Sequence, residues 1–119
     1  MDIKESGVIL FLERYEENVS FYTDKLGLPV RERQPGLTKL AFGGSYLMVE
    51  ENGIAGEAEK TRAQNPTVLR IEVQNFHGAV QELVDLGVPV QVRRFEWGTI
   101  GVIVDPEGNR IEIKEYETD

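Results

Sequence analysis

The 119-residue chain contains no cysteine, one histidine and one tryptophan, and its 21 acidic residues outnumber its 13 basic ones. Without cysteine it has no disulfides, thiol nucleophile or thiolate metal site. The formal charge of -8 disfavours nucleic acid and anionic membranes as partners. No apolar run is long enough for a secretion signal or a membrane span. We therefore expect a cytoplasmic protein with neither a nucleic acid nor a membrane as its partner.

One short motif occurs twice in the chain. Leu26-Gly27-Leu28-Pro29-Val30 returns as Leu86-Gly87-Val88-Pro89-Val90. Each copy follows an amphipathic stretch and precedes alternating apolar and polar residues, a pattern that indicates a strand, a helix and then further strands. The sequence therefore predicts a duplicated unit, whose two copies share one domain of 119 residues.

The first copy is expected over about residues 7–52. It opens with the apolar run 7–13, which is typical of a strand covered on both faces and central in its sheet. A helix over residues 16–26 should end at Gly27. Three strands are predicted to follow it: residues 30–34, 38–42 and 45–50.

The second copy is expected over about residues 67–116, after a polar linker over residues 53–66. Asn75 is the expected N-cap of its helix. Asp105-Pro106-Glu107-Gly108 has the residues of a type I turn. The predicted elements are a strand over residues 67–73, a helix over residues 76–86, and strands over residues 90–95, 99–104 and 110–116.

Three motifs together resemble the vicinal oxygen chelate superfamily, which includes glyoxalase I, extradiol dioxygenases, fosfomycin-resistance enzymes and bleomycin-resistance proteins. They are Phe21-Tyr22-Thr23-Asp24-Lys25-Leu26-Gly27-Leu28, Trp97-Gly98, and Asp105-Pro106-Glu107-Gly108-Asn109-Arg110-Ile111-Glu112-Ile113. The resemblance implies an α+β fold in which two tandem βαβββ modules form a curled mixed sheet. It also implies a small-molecule ligand inside the cup of that sheet, and a homodimer.

The resemblance also implies four positions where the superfamily's enzymes hold a divalent metal. These positions fall on Gly7, Met48, Val68 and Glu112, of which only Glu112 has a suitable oxygen ligand. Because one carboxylate holds a cation weakly, we expect no metal and no other cofactor. The alternative is a metal site built on Glu112 with misaligned ligands such as Glu50 or Glu72. The lone His77 is expected on the surface of the outer helix.

Period-two alternation turns Arg70 and Glu112 towards the same interior face. In a functional interpretation, Arg70 orients a carboxylate or phosphate-like group, while Glu112 accepts a hydrogen bond or moves a proton. In a structural interpretation, the two side chains only form a mutual ion pair. Glu112 is the candidate catalytic residue, and both residues are candidate ligand-binding residues.

Apolar and aromatic side chains supply the remaining candidate pocket walls. The alternative for Phe11 and Phe42 is a plain core position, which is the commoner one for such residues. The position of Trp97 in a loop before a strand suits either the pocket mouth or a dimer contact. The candidate wall residues are Ile9, Phe11, Phe42, Tyr46, Met48 and Trp97.

The leading hypothesis is a metal-independent protein, similar to the bleomycin-resistance branch, that binds a small polar or aromatic molecule. One alternative is a metal-dependent lyase or dioxygenase that uses Glu112. The other is a dimeric accessory module without a ligand of its own. The sequence leaves open whether the chain is an enzyme, because no residue pattern in it names a reaction.

Overall fold

A computed structural model describes residues 1–117 of the chain. These residues divide into two compact units, the first over Met1–Ala55 and the second beginning at Gly56. Unit 1 contains β1 Gly7–Leu12, α1 Tyr15–Ser20, β2 Val30–Gln34, β3 Leu37–Phe42 and β4 Ser45–Glu51. Unit 2 contains β5 Leu69–Val73, α2 Phe76–Asp85, β6 Gln91–Phe95, β7 Gly98–Val104 and β8 Arg110–Glu115.

Each unit has one four-stranded mixed sheet and the element order βαβββ. The strand order is β1-β4-β3-β2 in unit 1 and β5-β8-β7-β6 in unit 2. In both sheets the first strand pairs in parallel with the last, and the other neighbours are antiparallel. The predicted α+β fold of two βαβββ modules is therefore confirmed.

The core of unit 1 lies between its helix and one face of its sheet. Leu40, Leu47 and Val49 are fully buried on that face. The hydroxyl groups of Tyr15 on α1 and Thr38 on β3 form a buried hydrogen bond of 2.6 Å, which identifies the face that the helix covers. Burying an aliphatic side chain of this size contributes about 1.5–3 kcal/mol. Every second residue of β3 and β4 therefore packs against α1.

The prediction that the first strand is central and covered on both faces is wrong. Within the part of the chain that the structure describes, β1 pairs only with β4 and forms one edge of its sheet. Leu12 is buried, but Phe11 is 55% exposed. The apolar run misled the prediction because Ile9 and Phe11 form an apolar patch on the exposed face instead of a second core.

The first helix changes its hydrogen bonding halfway along its length. After α1 the chain continues as a π-helix over Phe21–Lys25, in which the N–H of Leu26 donates to the carbonyl oxygen of Phe21 at 3.1 Å. Gly27 then takes the left-handed conformation, with φ of 71°. This conformation is readily accessible only to glycine, which explains why the helix ends at this residue as predicted.

In unit 2 the helix has the predicted side-chain cap. The side chain of Asn75 accepts a hydrogen bond of 3.1 Å from the N–H of Gly78. Phe76 and Leu83 are the buried residues of α2, while His77 is exposed on it as expected. The first strand of this unit, β5, begins at Leu69, two residues later than predicted. No helix within residues 1–117 is long and apolar enough to cross a membrane.

The polar segment before β5 is attached to the turn between β7 and β8. The N–H of Gly56 donates to the carbonyl oxygen of Glu107 at 2.8 Å, and the N–H of Lys60 donates to that of Gly108 at 2.7 Å. The side chain of Asn65 donates to Asn109 Oδ1 at 3.0 Å. Three residues of the predicted linker are thus hydrogen-bonded to this part of unit 2, two of them through backbone groups of the turn.

Candidate functional site

Arg70 and Glu112 lie side by side on the face of the unit 2 sheet opposite α2. They are register partners in the parallel pairing of β5 and β8. Nη2 of Arg70 donates to Oε1 of Glu112 at 2.7 Å, and Nε donates to the same oxygen at 3.2 Å. Their flanking residues Leu69, Ile111 and Ile113 are buried on the other face. Strand alternation therefore places both charged side chains on one surface.

A second arginine binds the remaining oxygen of Glu112. Nε of Arg110 donates to Oε2 at 2.9 Å, and its Nη2 is also 2.9 Å from that oxygen. Sequence reasoning missed this contact, although Arg110 stands two residues before Glu112 on the same strand and so must share its face. Arg110 also lies 3.8 Å from Glu59. The Glu112 carboxylate is thus held between two guanidinium groups.

The two arginines favour the charged form of Glu112. Burial raises the pKa of the Glu112 carboxyl, but the hydrogen bond from Arg70 and the charges of Arg110 and Arg70 outweigh that effect. The net result is a pKa below the ordinary glutamate value. The side chains of Glu112 and Arg110 are 13% and 16% exposed, whereas that of Arg70 is 40% exposed. Arg70 is therefore the most accessible charge of the three.

Trp97 extends this surface as an exposed aromatic ring. It stacks on Phe95 with ring centroids 5.1 Å apart and an interplanar angle of 4°. Cζ of Arg70 lies 5.9 Å from the centroid of the Trp97 ring, at the outer limit of a cation–π contact. Trp97 is 57% exposed. Sequence reasoning missed Phe95, whose place at the end of β6 brings it beside the following loop.

A cavity of about 370 Å³ lies in unit 2 beside this cluster. Glu59, the neighbour of Arg110, is one of its lining residues. Val102, the register partner of Glu112, is another. Pockets that hold small ligands have volumes from about 300 Å³ upwards. The cavity has the size of a small-molecule site. It meets the charged cluster through Glu59 and Val102, whereas Arg70, Glu112 and Trp97 do not line it.

The other predicted wall residues lie in unit 1. The pairing of β1 with β4 sets Gly7 opposite Tyr46 and Ile9 opposite Met48, with Phe11 two residues further on. These side chains share the sheet face away from α1. Nζ of Lys39 lies 4.3 Å from the centroid of the Tyr46 ring. This face of unit 1 therefore carries apolar and aromatic side chains, and one of its aromatic rings, that of Tyr46, lies beside a lysine.

Phe42 does not share that face. It follows Thr38 and Leu40 at period two along β3, and both of these residues are buried towards α1. The strand alternation therefore turns Phe42 to the helix side of the sheet. Phe42 therefore lies on the other face from Tyr46 and Met48, and this placement favours its interpretation as a core residue.

The four residues that the resemblance aligns with the superfamily's metal positions do not fit a divalent cation. Ile9 pairs with Met48 as Arg70 pairs with Glu112, so Met48 and Glu112 occupy equivalent positions in the two units. Gly7 and Val68 have no donor atom in their side chains, and Met48 has only a soft sulfur. Both oxygens of Glu112 already accept hydrogen bonds from guanidinium groups. A cation there would have to compete with two positive charges.

The sequence model of the Glyoxalase/Bleomycin resistance protein/Dioxygenase superfamily matches residues 7–113. The chain belongs to this superfamily. No curated protein sequence matches it significantly. The resemblance carried by the helix and turn motifs is thereby confirmed at the level of the superfamily.

Solved structures of other superfamily members have the same fold. Lactoylglutathione lyase of Agrobacterium tumefaciens is 18% identical with a TM-score of 0.75, and the match covers 97% of this chain and 95% of that one. The bleomycin-binding protein of Streptomyces verticillus, solved with copper(II)-bleomycin, is 19% identical with a TM-score of 0.70 and coverages of 98% and 99%. A fosfomycin resistance protein of Listeria monocytogenes, solved with Mn(II), is 13% identical with a TM-score of 0.73 and coverages of 98% and 93%. These likenesses establish the fold alone.

Proposed function

We propose that the chain is a metal-independent binding protein that takes up a small polar or aromatic molecule on the face of its unit 2 sheet opposite α2. Arg70, Glu112 and Trp97 on unit 2 are the proposed contact residues. The observation that carries the proposal is the position of Glu112 between Arg70 and Arg110. The one carboxylate at a superfamily metal position is already neutralised by the protein itself.

The same contacts argue against acid or base catalysis by Glu112. A general acid or base works best when its pKa lies near the operating pH. The two arginines lower the pKa of Glu112 below its ordinary value and so move it away from neutral pH. Both carboxylate oxygens are also committed to hydrogen bonds with the arginines. We therefore propose binding, with Glu112 holding the arginines in place, and not a reaction at this carboxylate.

The surface around Arg70 offers what a small ligand needs. The exposed ring of Trp97 supplies a flat apolar contact, and the partly exposed guanidinium supplies directed hydrogen bonds. Among solved members of the superfamily, the bleomycin-binding protein of Streptomyces verticillus binds a small molecule. A small-molecule-binding protein with the same fold supports a binding role for this chain. The identity of the ligand depends on the side chains of this chain.

A metal titration tests the metal-independent part of the proposal. Chelator-treated protein is mixed with manganese, iron(II), nickel or zinc, and the melting temperature is recorded, because a ligand of the folded state raises it. We expect no shift in wild type or in Glu112→Gln. A shift in wild type that disappears in Glu112→Gln would contradict the proposal and indicate a metal site on this carboxylate.

A ligand screen tests the binding part. Because the chain has one tryptophan, its indole N–H gives one cross-peak in an NMR spectrum of ¹⁵N-labelled protein, and that peak reports on the surface beside Arg70. We expect saturable shifts of this peak with some members of a set of small aromatic and polar compounds. A set in which no compound shifts this peak or the backbone peaks of β5 and β8 would reject the proposed site.

We further propose that the protein acts as a homodimer in the cytoplasm. The dimer is the assembly that the family resemblance implies, and a chain without cysteine needs no oxidising compartment to form disulfides. Light scattering coupled to gel filtration should give twice the chain mass of 13.5 kDa. A mass equal to one chain at micromolar concentration would reject the dimer.

A further inference from the structure

Arg70 has hydrogen-bonding capacity that its ion pair does not use. Its Nε and Nη2 donate to Oε1 of Glu112. Among the hydrogen bonds of residues 1–117, Nη1 donates to no partner. The side chain is 40% exposed, more than twice the exposure of the Arg110 side chain. The N–H groups of Nη1 are therefore available to an acceptor from outside the chain.

Glu112 positions this guanidinium. Two hydrogen bonds to one carboxylate oxygen fix both the distance and the plane of the Arg70 head group. Arg110 occupies the other oxygen, which prevents Glu112 from turning away from Arg70. Glu112 balances one of the two arginine charges, and Glu59, 3.8 Å from Arg110, lies beside the other. A preorganised guanidinium with N–H groups still unused suits an anionic oxygen.

Trp97 lies within reach of the same ligand. Cζ of Arg70 is 5.9 Å from the centre of its ring. Phe95 stacks nearly parallel to Trp97, with an interplanar angle of 4°, and so supports one side of that ring. Since Trp97 is more than half exposed, ring area remains for a second aromatic contact. The surface thus presents the Arg70 guanidinium and the exposed Trp97 ring 5.9 Å apart.

From this juxtaposition we propose that the ligand is a planar aromatic anion, whose carboxylate or similar oxyanion binds Arg70 while its ring packs on Trp97. The inference rests on the proposed binding function and names the class of molecule that the site takes. Glu112 and Arg110 are positioning residues in this arrangement. They touch Arg70 or each other and hold the guanidinium in the orientation that the oxyanion needs.

Three probe compounds separate the charge from the ring. Benzoate has both features, benzamide keeps the ring without the charge, and cyclohexanecarboxylate keeps the charge without the aromatic ring. Each is titrated into ¹⁵N-labelled full-length protein, and its Kd is obtained from the shift of the Trp97 indole peak. We expect the Kd of benzoate to be lower than that of either other compound by about tenfold, as a charge-assisted hydrogen bond implies.

Variants assign the effect to Arg70. Arg70→Gln should raise the Kd of benzoate about tenfold and leave the Kd of benzamide unchanged. Arg70→Lys should recover only part of the benzoate affinity, because lysine has no guanidinium fork. Arg31→Gln is the matched control, since Arg31 also donates two hydrogen bonds to one glutamate, Glu5 in unit 1. This control should bind benzoate like wild type.

The outcomes separate this inference from the proposed function. Equal affinities for benzoate and benzamide, or no saturable shift with benzoate, would overturn the anionic ligand class. Compounds from the wider screen that still shift the Trp97 peak would then keep the binding function intact. Benzoate binding that survives Arg70→Gln unchanged would also overturn the inference, because the anion would have found another partner.

Discussion

The ring of Tyr46 occupies the space that a side chain on Gly7 would need. The two residues are register partners in the parallel pairing of β1 and β4, and a Cβ atom added to Gly7 would overlap the ring. The family resemblance aligns Gly7 with a superfamily metal position, and on that alignment an aromatic ring covers the place from which a metal ligand would project. In unit 1 the Tyr46 ring fills this position, whereas the equivalent region of unit 2 carries charged side chains.

Gly7→Ala should lower the free energy of unfolding by about 1–3 kcal/mol, the usual cost of overpacking. Urea denaturation measures the change. Gly44→Ala is the control, because nothing lies within 4 Å of a Cβ at that position, and it should change stability by less than about 0.5 kcal/mol. If Tyr46 causes the loss, Gly7→Ala should cost much less in a Tyr46→Ala background. Equal costs in both backgrounds would contradict the explanation.

The Glu112 carboxylate should make stability depend on pH in the acidic range. Its pKa is lower in the folded chain than the ordinary value of 4.5. The unfolded chain therefore takes up a proton first as the pH falls, so the stability that Glu112 contributes is present above about pH 4.5 and is lost below it.

Urea midpoints between pH 7 and pH 3 provide the test for Glu112. The loss of stability on acidification should be smaller in Glu112→Gln than in wild type, because the variant lacks the titrating group. Glu72→Gln is the control, since Glu72 is exposed on the same sheet face. It should follow the wild-type curve. Parallel curves for Glu112→Gln and wild type would reject the role of this carboxyl.

Asp105 should be essential for the turn between β7 and β8. It is buried, and its Oδ1 accepts hydrogen bonds from the N–H groups of Glu107 at 3.0 Å and Asn109 at 2.8 Å. Asp105→Ala leaves buried donors without these acceptors, at a cost of about 1–3 kcal/mol for each. Thermal unfolding should show a large fall in melting temperature. The exposed Asp24→Ala should leave it nearly unchanged, and an equal effect in both variants would contradict the prediction.

Asn75 should stabilise α2 through its cap. Asn75→Ala removes the acceptor of the Gly78 N–H and should cost about 0.5–2 kcal/mol. Asn75→Asp keeps an acceptor oxygen and should retain most of the stability. Amide hydrogen exchange in the first turn of α2 adds a local measurement, in which Asn75→Ala alone should accelerate exchange. Unchanged exchange in this turn would contradict a stabilising role of the Asn75 cap.

Local sequence signals explain the parts of the fold that were predicted. Gly27 and Gly87 end their helices because both adopt positive φ, at 71° and 85°. Asn75 precedes a helix in the manner of an N-cap, and period-two alternation turned Arg70 and Glu112 to the same face. These features depend on residues close to one another in the sequence, so the sequence pattern alone predicts them. The apolar run in β1 was misjudged because periodicity cannot say whether a second layer covers a strand.

The sequence by itself determined the duplication, the order of the elements and the membership of the superfamily, because turn residues and hydrophobic periods act over a few neighbouring positions. Only the tertiary structure decided that Tyr46 fills the space at Gly7, that Arg110 joins Arg70 on Glu112, and that Phe95 supports Trp97. Each of these contacts depends on strand register, side-chain rotamer and the course of a loop. Those three variables are set by packing over the whole unit, and local composition does not specify them.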